Sequence, residues 1–142
     1  MYSKILIPVD GKEGAWRAIR AAHQAADLCT PDAEIVLLHV EPAISQLITG
    51  DDRVELKKKH LADGEERLKP VDDFLNSRNI KHRLVVTHGN IAPSIIRVAH
   101  DESADVVVMF TDGVEGISDV VFGSITEQVL KEIDIDLLSV RK

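Results

Sequence analysis

The chain has 142 residues, of which 29% are charged and 4% are aromatic, and its formal net charge is −7 at pH 7. An acidic chain with few aromatic residues lacks the basic face that binds nucleic-acid phosphates and the stacking platforms that bind single strands. No apolar run reaches the roughly 18 residues of a membrane span, and a single cysteine, Cys29, allows neither an internal disulfide nor a Cys-based zinc site. We therefore expect one cytoplasmic domain over residues 1–142, with no nucleic-acid partner and no membrane partner.

The first part of the chain alternates strand and helix patterns. A short aliphatic run over residues 5–9 predicts a buried strand, and it meets an Asp-Gly pair instead of continuing as a signal peptide would. The alanine-rich spacing of residues 14–28 predicts a helix that packs closely against a sheet. The Thr-Pro-Asp sequence at 30–32 predicts a turn. Residues 34–40 then predict a second buried strand.

The middle of the chain is more polar. A loop containing three apolar residues, Ile44, Leu47 and Ile48, leads into a long helix whose charge pattern covers residues 53–77. Pro70 lies inside that pattern and predicts a kink or a break into two helices. Residues 81–87 form a third strand pattern, and its alternation of apolar and polar residues predicts an edge position in the sheet.

The last part repeats the alternation twice. A helix beginning at Gly89-Asn90 has an apolar stripe made of Ile91, Ile95, Ile96, Val98 and Ala99. Residues 105–110 predict a fourth, strongly apolar strand. Gly123-Ser124 then begins a helix through Ile125, Val129 and Leu130, and residues 136–140 predict the last strand.

This order of elements predicts the fold class. Strands that alternate with helices form a parallel sheet with helices on both faces, and right-handed crossovers make it a doubly wound, three-layer α/β sandwich of five strands. Ligands of such sheets bind beyond the carboxyl ends of the strands, where the strand order reverses. In a flavodoxin-like arrangement that point lies between the first and fourth strands. The predicted crevice is therefore bounded by residues 8–10 on one side and 109–113 on the other.

The helix that begins at Gly123-Ser124 is a second indication of a ligand. Free backbone N–H groups at a helix start attract anions, and a preceding glycine allows phosphate to approach the backbone. The same pair is also explained by a tight turn at Gly123 with Ser124 as an ordinary N-cap. Asp10 has two compatible interpretations as well, because it can cap the first helix or orient a ribose or a metal ion.

Three segments and one loop motif resemble the universal stress protein family. The segments are Ile-Leu-Ile-Pro-Val-Asp-Gly at 5–11, Val-Leu-Leu-His-Val at 36–40 and Ala-Asp-Val-Val-Val-Met at 104–109. The motif is Gly113, nine intervening residues, and then Gly-Ser-Ile-Thr-Glu at 123–127. The resemblance covers the whole chain.

The resemblance implies a five-stranded sheet of order 3-2-1-4-5, as in the adenine nucleotide alpha hydrolase-like fold, with ATP bound where the strand order reverses. The adenine and ribose end would be lined by Pro8, Val9, Asp10, Val40 and Met109, and the ribose and phosphates would face Gly113, Gly123, Ser124, Ile125 and Thr126. The resemblance also implies a homodimer through the last strand, residues 136–140. It implies the role of a stress-response sensor or regulator with a protein partner.

The chain departs from the family motif at one position. Nucleotide-binding members carry Gly-x2-Gly-x9-Gly-Ser/Thr after the fourth strand, and Phe110 stands where the first glycine falls. A Phe110 ring pointing into the core would leave nucleotide space open, whereas one pointing into the crevice would fill it. The following loop carries Asp112, Glu115 and Asp119. Three carboxylates near a triphosphate repel it unless a divalent cation such as Mg²⁺ or Mn²⁺ bridges them.

Two functions of this fold stay open at this point: nucleotide binding that alters the 111–122 loop, and a dimeric interaction module that has lost the nucleotide. An enzyme, such as a small hydrolase or a flavodoxin-like redox protein, is not favoured. The sequence has no Gly-x-Ser-x-Gly elbow and no Gly-Lys-Ser/Thr P-loop, so at most very slow ATP hydrolysis is expected. His39, inside a buried strand, is expected to be a hydrogen-bonded structural residue, and Cys29 a small packed one.

Overall fold

The computed structural model describes residues 1–9, 16–111 and 124–141. Its elements alternate along the chain in the predicted order. They are β1 (Tyr2–Pro8), α1 (Trp16–Asp27), β2 (Cys29–Glu41), α2 (Gly50–Ser77), β3 (His82–His88), α3 (Ile91–Asp101), β4 (Val106–Thr111), α4 (Ser124–Glu132) and β5 (Asp136–Arg141). None of the described helices combines the length and the apolar character that crossing a bilayer requires.

The five strands form one parallel sheet in the order β3-β2-β1-β4-β5. β1 pairs with β2 on one side, where Ile7 lies opposite Leu37, and with β4 on the other, where Ile5 lies opposite Val106. The strand order therefore reverses between β1 and β4. The predicted fold class, the strand order and the edge position of the third strand are confirmed.

Apolar residues cover both faces of the sheet. In β1, Ile5 and Ile7 pack in one core cluster with α1 and α2, whereas Leu6 packs in a second cluster with α3 and α4. All three side chains are almost completely buried. Successive side chains of a strand point to opposite faces, so a strand covered by helices on both sides must be apolar throughout.

The two helices on the first face use different side chains to approach the sheet. α1 buries four alanines: Ala18, Ala21, Ala22 and Ala25. α2 buries Leu68, Val71 and Leu75, and its Gly64 faces β3 so closely that an added Cβ would lie 2.7 Å from a methyl carbon of Val86. A side chain at position 64 would therefore push α2 away from the sheet.

The predicted turn at 30–32 is wrong, because these residues lie inside β2. The register between the strands advances two residues on β1, from Tyr2 to Lys4, but five residues on β2, from Cys29 to Glu34. The additional β2 residues form a bulge, which leaves Pro31 and its neighbour exposed. Proline cannot donate to a strand ladder, and a bulge is one of the few places in a sheet where it is tolerated.

Of the two outcomes predicted for Pro70, a kink or a break, the break does not occur, since α2 is continuous from Gly50 to Ser77. A proline inside a helix costs about 3 kcal/mol. The flanking Leu68, Val71 and Leu75 are fully buried, and burial of such a side chain contributes about 1.5–3 kcal/mol each. Packing of both halves on one core outweighs the local cost.

The apolar stripes of the last two helices are narrower than predicted. Ile91 is 41% exposed and Leu130 is 49% exposed. Ile91 is the first residue of α3 and borders a cavity described below, so Ala92 takes the buried position beside it. Among the described side chains of α4, Thr126 and Val129 are buried, and they are three residues apart on one helix face.

Candidate functional site

A cavity of about 850 Å³ lies at the carboxyl end of the sheet, where β1 and β4 are neighbours. Its described wall combines the ends of β1, β2 and β4 with parts of all four helices. The lining includes Pro8, Val9, Arg17, Ala18, His39, Val40, Glu41, Arg67, Ile91, Met109, Phe110, Ile125, Thr126 and Gln128. This is the place at which ligands bind in open α/β sheets.

Six of the ten predicted site residues line this one cavity: Pro8, Val9, Val40, Met109, Ile125 and Thr126. Ser124 is the first residue of α4, directly before two of them. The other three, Asp10, Gly113 and Gly123, lie outside the described residues. The structure thus brings together residues more than 100 positions apart in sequence. Their role in ligand contact stays a prediction.

The sequence left open whether the Phe110 ring points into the core or into the crevice, and the structure shows its orientation. It is partly buried and packs against the core cluster on the α1–α2 side of the sheet. The Arg17 guanidinium carbon lies 5.0 Å from the ring centroid, which is within the distance of a cation–π contact. The ring also borders the cavity, which retains its volume of about 850 Å³ with the ring in place. Phe110 therefore narrows one wall and does not fill the site.

A buried pair at the end of β2, His39 and Glu41, forms part of the wall. His39 Nδ1 lies 2.8 Å from the Val9 carbonyl oxygen and Nε2 lies 3.1 Å from Glu41 Oε1. A carbonyl can only accept, so Nδ1 donates to Val9. The second contact is then a hydrogen bond only if a further proton lies between Nε2 and Oε1. With that proton the pair as a whole is neutral, and the end of β2 is tied to the end of β1.

His39 is buried and hydrogen-bonded, as expected. Its hydrogen-bond partner Glu41 was not predicted, although the sequence contains a pattern that identifies it. Residues two apart in a strand point to the same face, so a carboxylate two positions after a buried histidine is a natural hydrogen-bond partner. Arg17 and Arg67 were missed as lining residues because helix patterns alone do not show which side chains reach the carboxyl edge of a sheet.

A second histidine pair joins α2 to the end of β3. His88 Nε2 lies 3.0 Å from His60 Nδ1, and the two rings are stacked with centroids 5.1 Å apart. Burial lowers the pKa of His88, and the neighbouring His60 lowers it further, with smaller effects in the same direction from Lys57 and Arg53 and an opposing effect from Glu41. The folded state therefore favours an uncharged His88.

This shift predicts how stability depends on pH. The pKa of His88 in the folded protein lies below the usual 6.5, so the unfolded chain binds more protons as the pH falls below that value. The contribution of His88 to stability is complete above pH 6.5 and is lost as the pH falls toward the folded-state pKa. Urea unfolding between pH 7 and pH 5 should show a smaller loss of stability in His88→Gln than in the parent. Equal slopes in the two proteins would contradict the assignment.

Other reactive groups have ordinary structural surroundings. The Cys29 thiol donates to the Ala25 carbonyl at 3.0 Å, and burial raises its pKa, which favours a packed role over a nucleophilic one. Within residues 1–9, 16–111 and 124–141 there is no group of three or more His, Cys, Asp or Glu side chains arranged to hold a metal ion. The carboxylates that the sequence suggests for a bridging cation, Asp112, Glu115 and Asp119, lie outside these ranges.

The fold is that of a doubly wound α/β protein with a cavity at the reversal of strand order. A model of the universal stress protein family matches residues 1–141, and the chain belongs to that family. Universal stress protein MJ0577 of Methanocaldococcus jannaschii is 27% identical over 158 residues, which cover 100% of this chain and 96% of the relative. Universal stress protein MJ0531 of the same organism is 30% identical over 148 residues, which cover 100% of this chain and 84% of that relative. The solved structure of MJ0577 superposes on this protein with a TM-score of 0.76, and the match covers 100% of this chain and 97% of the MJ0577 chain.

More distant proteins share the fold and have been solved with adenine nucleotides. The universal stress protein of Archaeoglobus fulgidus in complex with dAMP is 19% identical, with a TM-score of 0.65. A universal stress protein in complex with cAMP is 16% identical, with a TM-score of 0.68. An Arabidopsis thaliana family member with AMP bound is also 16% identical, with a TM-score of 0.69. At these identities the likeness establishes the common fold.

Proposed function

We propose that this protein binds an adenine nucleotide, with ATP as the expected ligand, in the cavity between the ends of β1 and β4. The observation that carries the proposal is the position and size of that cavity. It lies at the reversal of strand order, and its volume of about 850 Å³ is within the range of about 300–1,000 Å³ typical of small-molecule sites. Phe110 leaves this space open.

The chemistry of the wall suits the parts of a nucleotide. Val9 and Met109 are buried apolar side chains that can pack against the flat face of a base. Across the cavity, α4 begins at Ser124 and contributes Thr126, whose side chain is buried and borders the cavity. The first backbone N–H groups of a helix attract phosphate. These features support an orientation with the base toward β1 and β4 and the phosphates toward α4.

The distant relatives support the class of ligand. Three proteins of the same fold were solved with dAMP, cAMP and AMP. The three ligands share an adenine ring and differ in the sugar and in the phosphate linkage. The adenine nucleotide class is therefore the better supported part of the proposal, and the number of phosphates is the part that experiment must fix.

Calorimetric titration of the purified protein with ATP, alone and with Mg²⁺ or Mn²⁺, tests the proposal. We expect saturable binding of one nucleotide per chain, strengthened by the divalent cation because the loop after β4 is acidic. The absence of saturable heat at millimolar ATP in all three conditions would overturn it. In that case Phe110→Gly decides whether the alternative holds: an interaction module that lost its nucleotide should regain binding when the glycine is restored.

We further propose that the protein is a dimeric sensor or regulator and not an enzyme. By resemblance to the family, the dimer would form through the last strand, residues 136–140, which pairs with β4 within the described residues. Light scattering should give twice the mass of one chain, and a monomer mass would contradict the dimer.

In an assay of phosphate release, the protein should not complete multiple turnovers of ATP. A cytoplasmic location and a regulatory protein partner complete the proposal, the former because the single cysteine offers no internal disulfide.

A further inference from the structure

We infer that Asn90 makes the cavity selective for adenine over guanine, by presenting its side-chain amide to the edge of the bound base. This inference rests on the proposed function, because it assigns to one residue the recognition of the base of a nucleotide. It concerns the end of the cavity beside β2 and α3, which the sequence motifs did not single out.

The backbone of Asn90 is held on both sides. Asn90 directly precedes α3 and borders the cavity, as does Val40 near the end of β2. The Gly89 N–H donates to the Glu41 carbonyl oxygen at 3.0 Å, and the Asn90 carbonyl oxygen accepts from the Ser94 N–H at 3.0 Å. Gly89 has a φ of 134°, a conformation that favours glycine at this turn. Asn90 therefore has a fixed place in the wall of the cavity.

The Asn90 side chain stands at the N-cap position of α3 without capping the helix. An asparagine at this position ordinarily accepts a hydrogen bond from the N–H of the second or third helical residue. Here the third residue is Pro93, which has no N–H, and the Asn90 side chain makes no capping hydrogen bond. The residue is exposed, so its amide oxygen and amide nitrogen are accessible to a ligand in the cavity.

The place of Asn90 fits the orientation proposed for the nucleotide. In the sheet, β2 and β1 lie between β3, which precedes Asn90, and β4, which precedes α4. The helices α3 and α4 pack in the same core cluster, on one face of the sheet. A nucleotide with its phosphates at the start of α4 and its base on Val9 and Met109 thus directs the outer edge of the base toward the end of β2 and Asn90.

A side-chain amide matches one edge of adenine and not the same edge of guanine. The N6 amino group of adenine donates and the neighbouring N7 accepts, and an asparagine amide supplies one acceptor and one donor for them. Guanine has a carbonyl oxygen in place of the amino group, so its O6 and N7 both accept. The amide can satisfy only one of these two acceptors, and its own oxygen then faces the other.

The expected effect is a change in the ratio of two affinities. A bidentate contact between an amide and the correct base lowers the affinity of the wrong base by about 10- to 100-fold. We therefore expect the parent to bind ATP more tightly than GTP by about that factor, and Asn90→Ala to lose most of this preference. Asn90→Ser should lose it as well, because a hydroxyl can donate or accept and serves either base. Serine is also a good N-cap residue, so this variant keeps the start of α3 intact.

The experiment measures the affinities of ATP and GTP, each with Mg²⁺, by calorimetry for the parent, Asn90→Ala, Asn90→Ser and Asn76→Ala. The two ligands have the same ribose and phosphates, so the ratio of their dissociation constants reports the base alone. Asn76 is exposed on α2 and is absent from the described cavity lining. The Asn76→Ala control therefore removes the same group away from the site and should keep the parental ratio. Thermal unfolding first establishes that each variant is folded.

Each result decides between the possibilities. A preference for ATP that falls in both Asn90 variants and stays parental in Asn76→Ala supports the inference. A parental ratio in Asn90→Ala and Asn90→Ser would overturn it, as would a parent that binds ATP and GTP equally, while binding of ATP itself would still support the proposed function. If the parent binds neither ligand, the proposed function fails and this inference fails with it.

Discussion

Replacement of Leu68 by alanine is expected to lower the free energy of unfolding by about 2–5 kcal/mol. Leu68 is fully buried in α2 and belongs to the core cluster that covers the β1 face of the sheet. Truncation removes the transfer free energy of the side chain and leaves a cavity that a close-packed core closes only in part. The measurement is urea unfolding at neutral pH, followed by circular dichroism, with the midpoint shifting and the slope unchanged.

A matched control lies on the same helix. Leu61 precedes Leu68 by two helical turns and is 48% exposed, so Leu61→Ala should change the free energy of unfolding by no more than about 0.5 kcal/mol. The comparison holds residue type, helix and substitution constant and varies only burial. Similar losses in the free energy of unfolding for Leu61→Ala and Leu68→Ala would contradict the burial of Leu68 in the core.

Truncation of Glu41 is expected to have the second large effect. In Glu41→Ala the buried Nε2 of His39 loses its partner, and an unsatisfied buried polar group costs about 1–3 kcal/mol. The same change should weaken nucleotide binding, because His39 holds the Val9 carbonyl at the edge of the cavity. Unfolding in urea measures the first effect, and titration with ATP measures the second.

Glu41→Gln separates the hydrogen bond from the charge. The glutamine amide can donate to the free lone pair of a neutral His39, so this variant should keep most of the stability that Glu41→Ala loses. Because the glutamine amide carries its own protons, no additional proton is needed between the two side chains in this variant. If Glu41→Gln were as unstable as Glu41→Ala, the contact between the two side chains would not be the hydrogen bond described above.

The architecture was predictable because it follows from patterns that are local in sequence. Residues 106–110 are apolar at successive positions, which identifies a strand covered on both faces, and β4 accordingly lies inside the sheet, between β1 and β5. The handedness of crossovers then leaves few arrangements of alternating elements. The crevice was located by the preference of ligands for the point where the strand order reverses, and six of the ten residues that the family resemblance implied line one cavity there.

The errors share a physical cause, since each depends on packing between distant segments. Pro31 suggested a turn because proline lacks a donor, but the bulge that accommodates it exists only through pairing with β1. Pro70 suggested a kink or a break, and the break does not occur because the core contacts of Leu68 and Val71 keep the helix continuous. The sequence did not show that Arg17 lines the cavity, because its contact with Phe110 joins residues 93 positions apart, from 17 to 110.

The most direct test of the account is a methyl NMR titration of the protein with ATP, using labelled isoleucine, leucine, valine and methionine side chains. We predict that the methyl signals of Val9, Val40, Met109 and Ile125 shift together and saturate, because these residues line the cavity. The methyl signals of the exposed Leu61 and Leu130 should stay in place. Shifts confined to residues outside the cavity, or no shifts at millimolar ATP with Mg²⁺, would contradict nucleotide binding at the reversal of strand order.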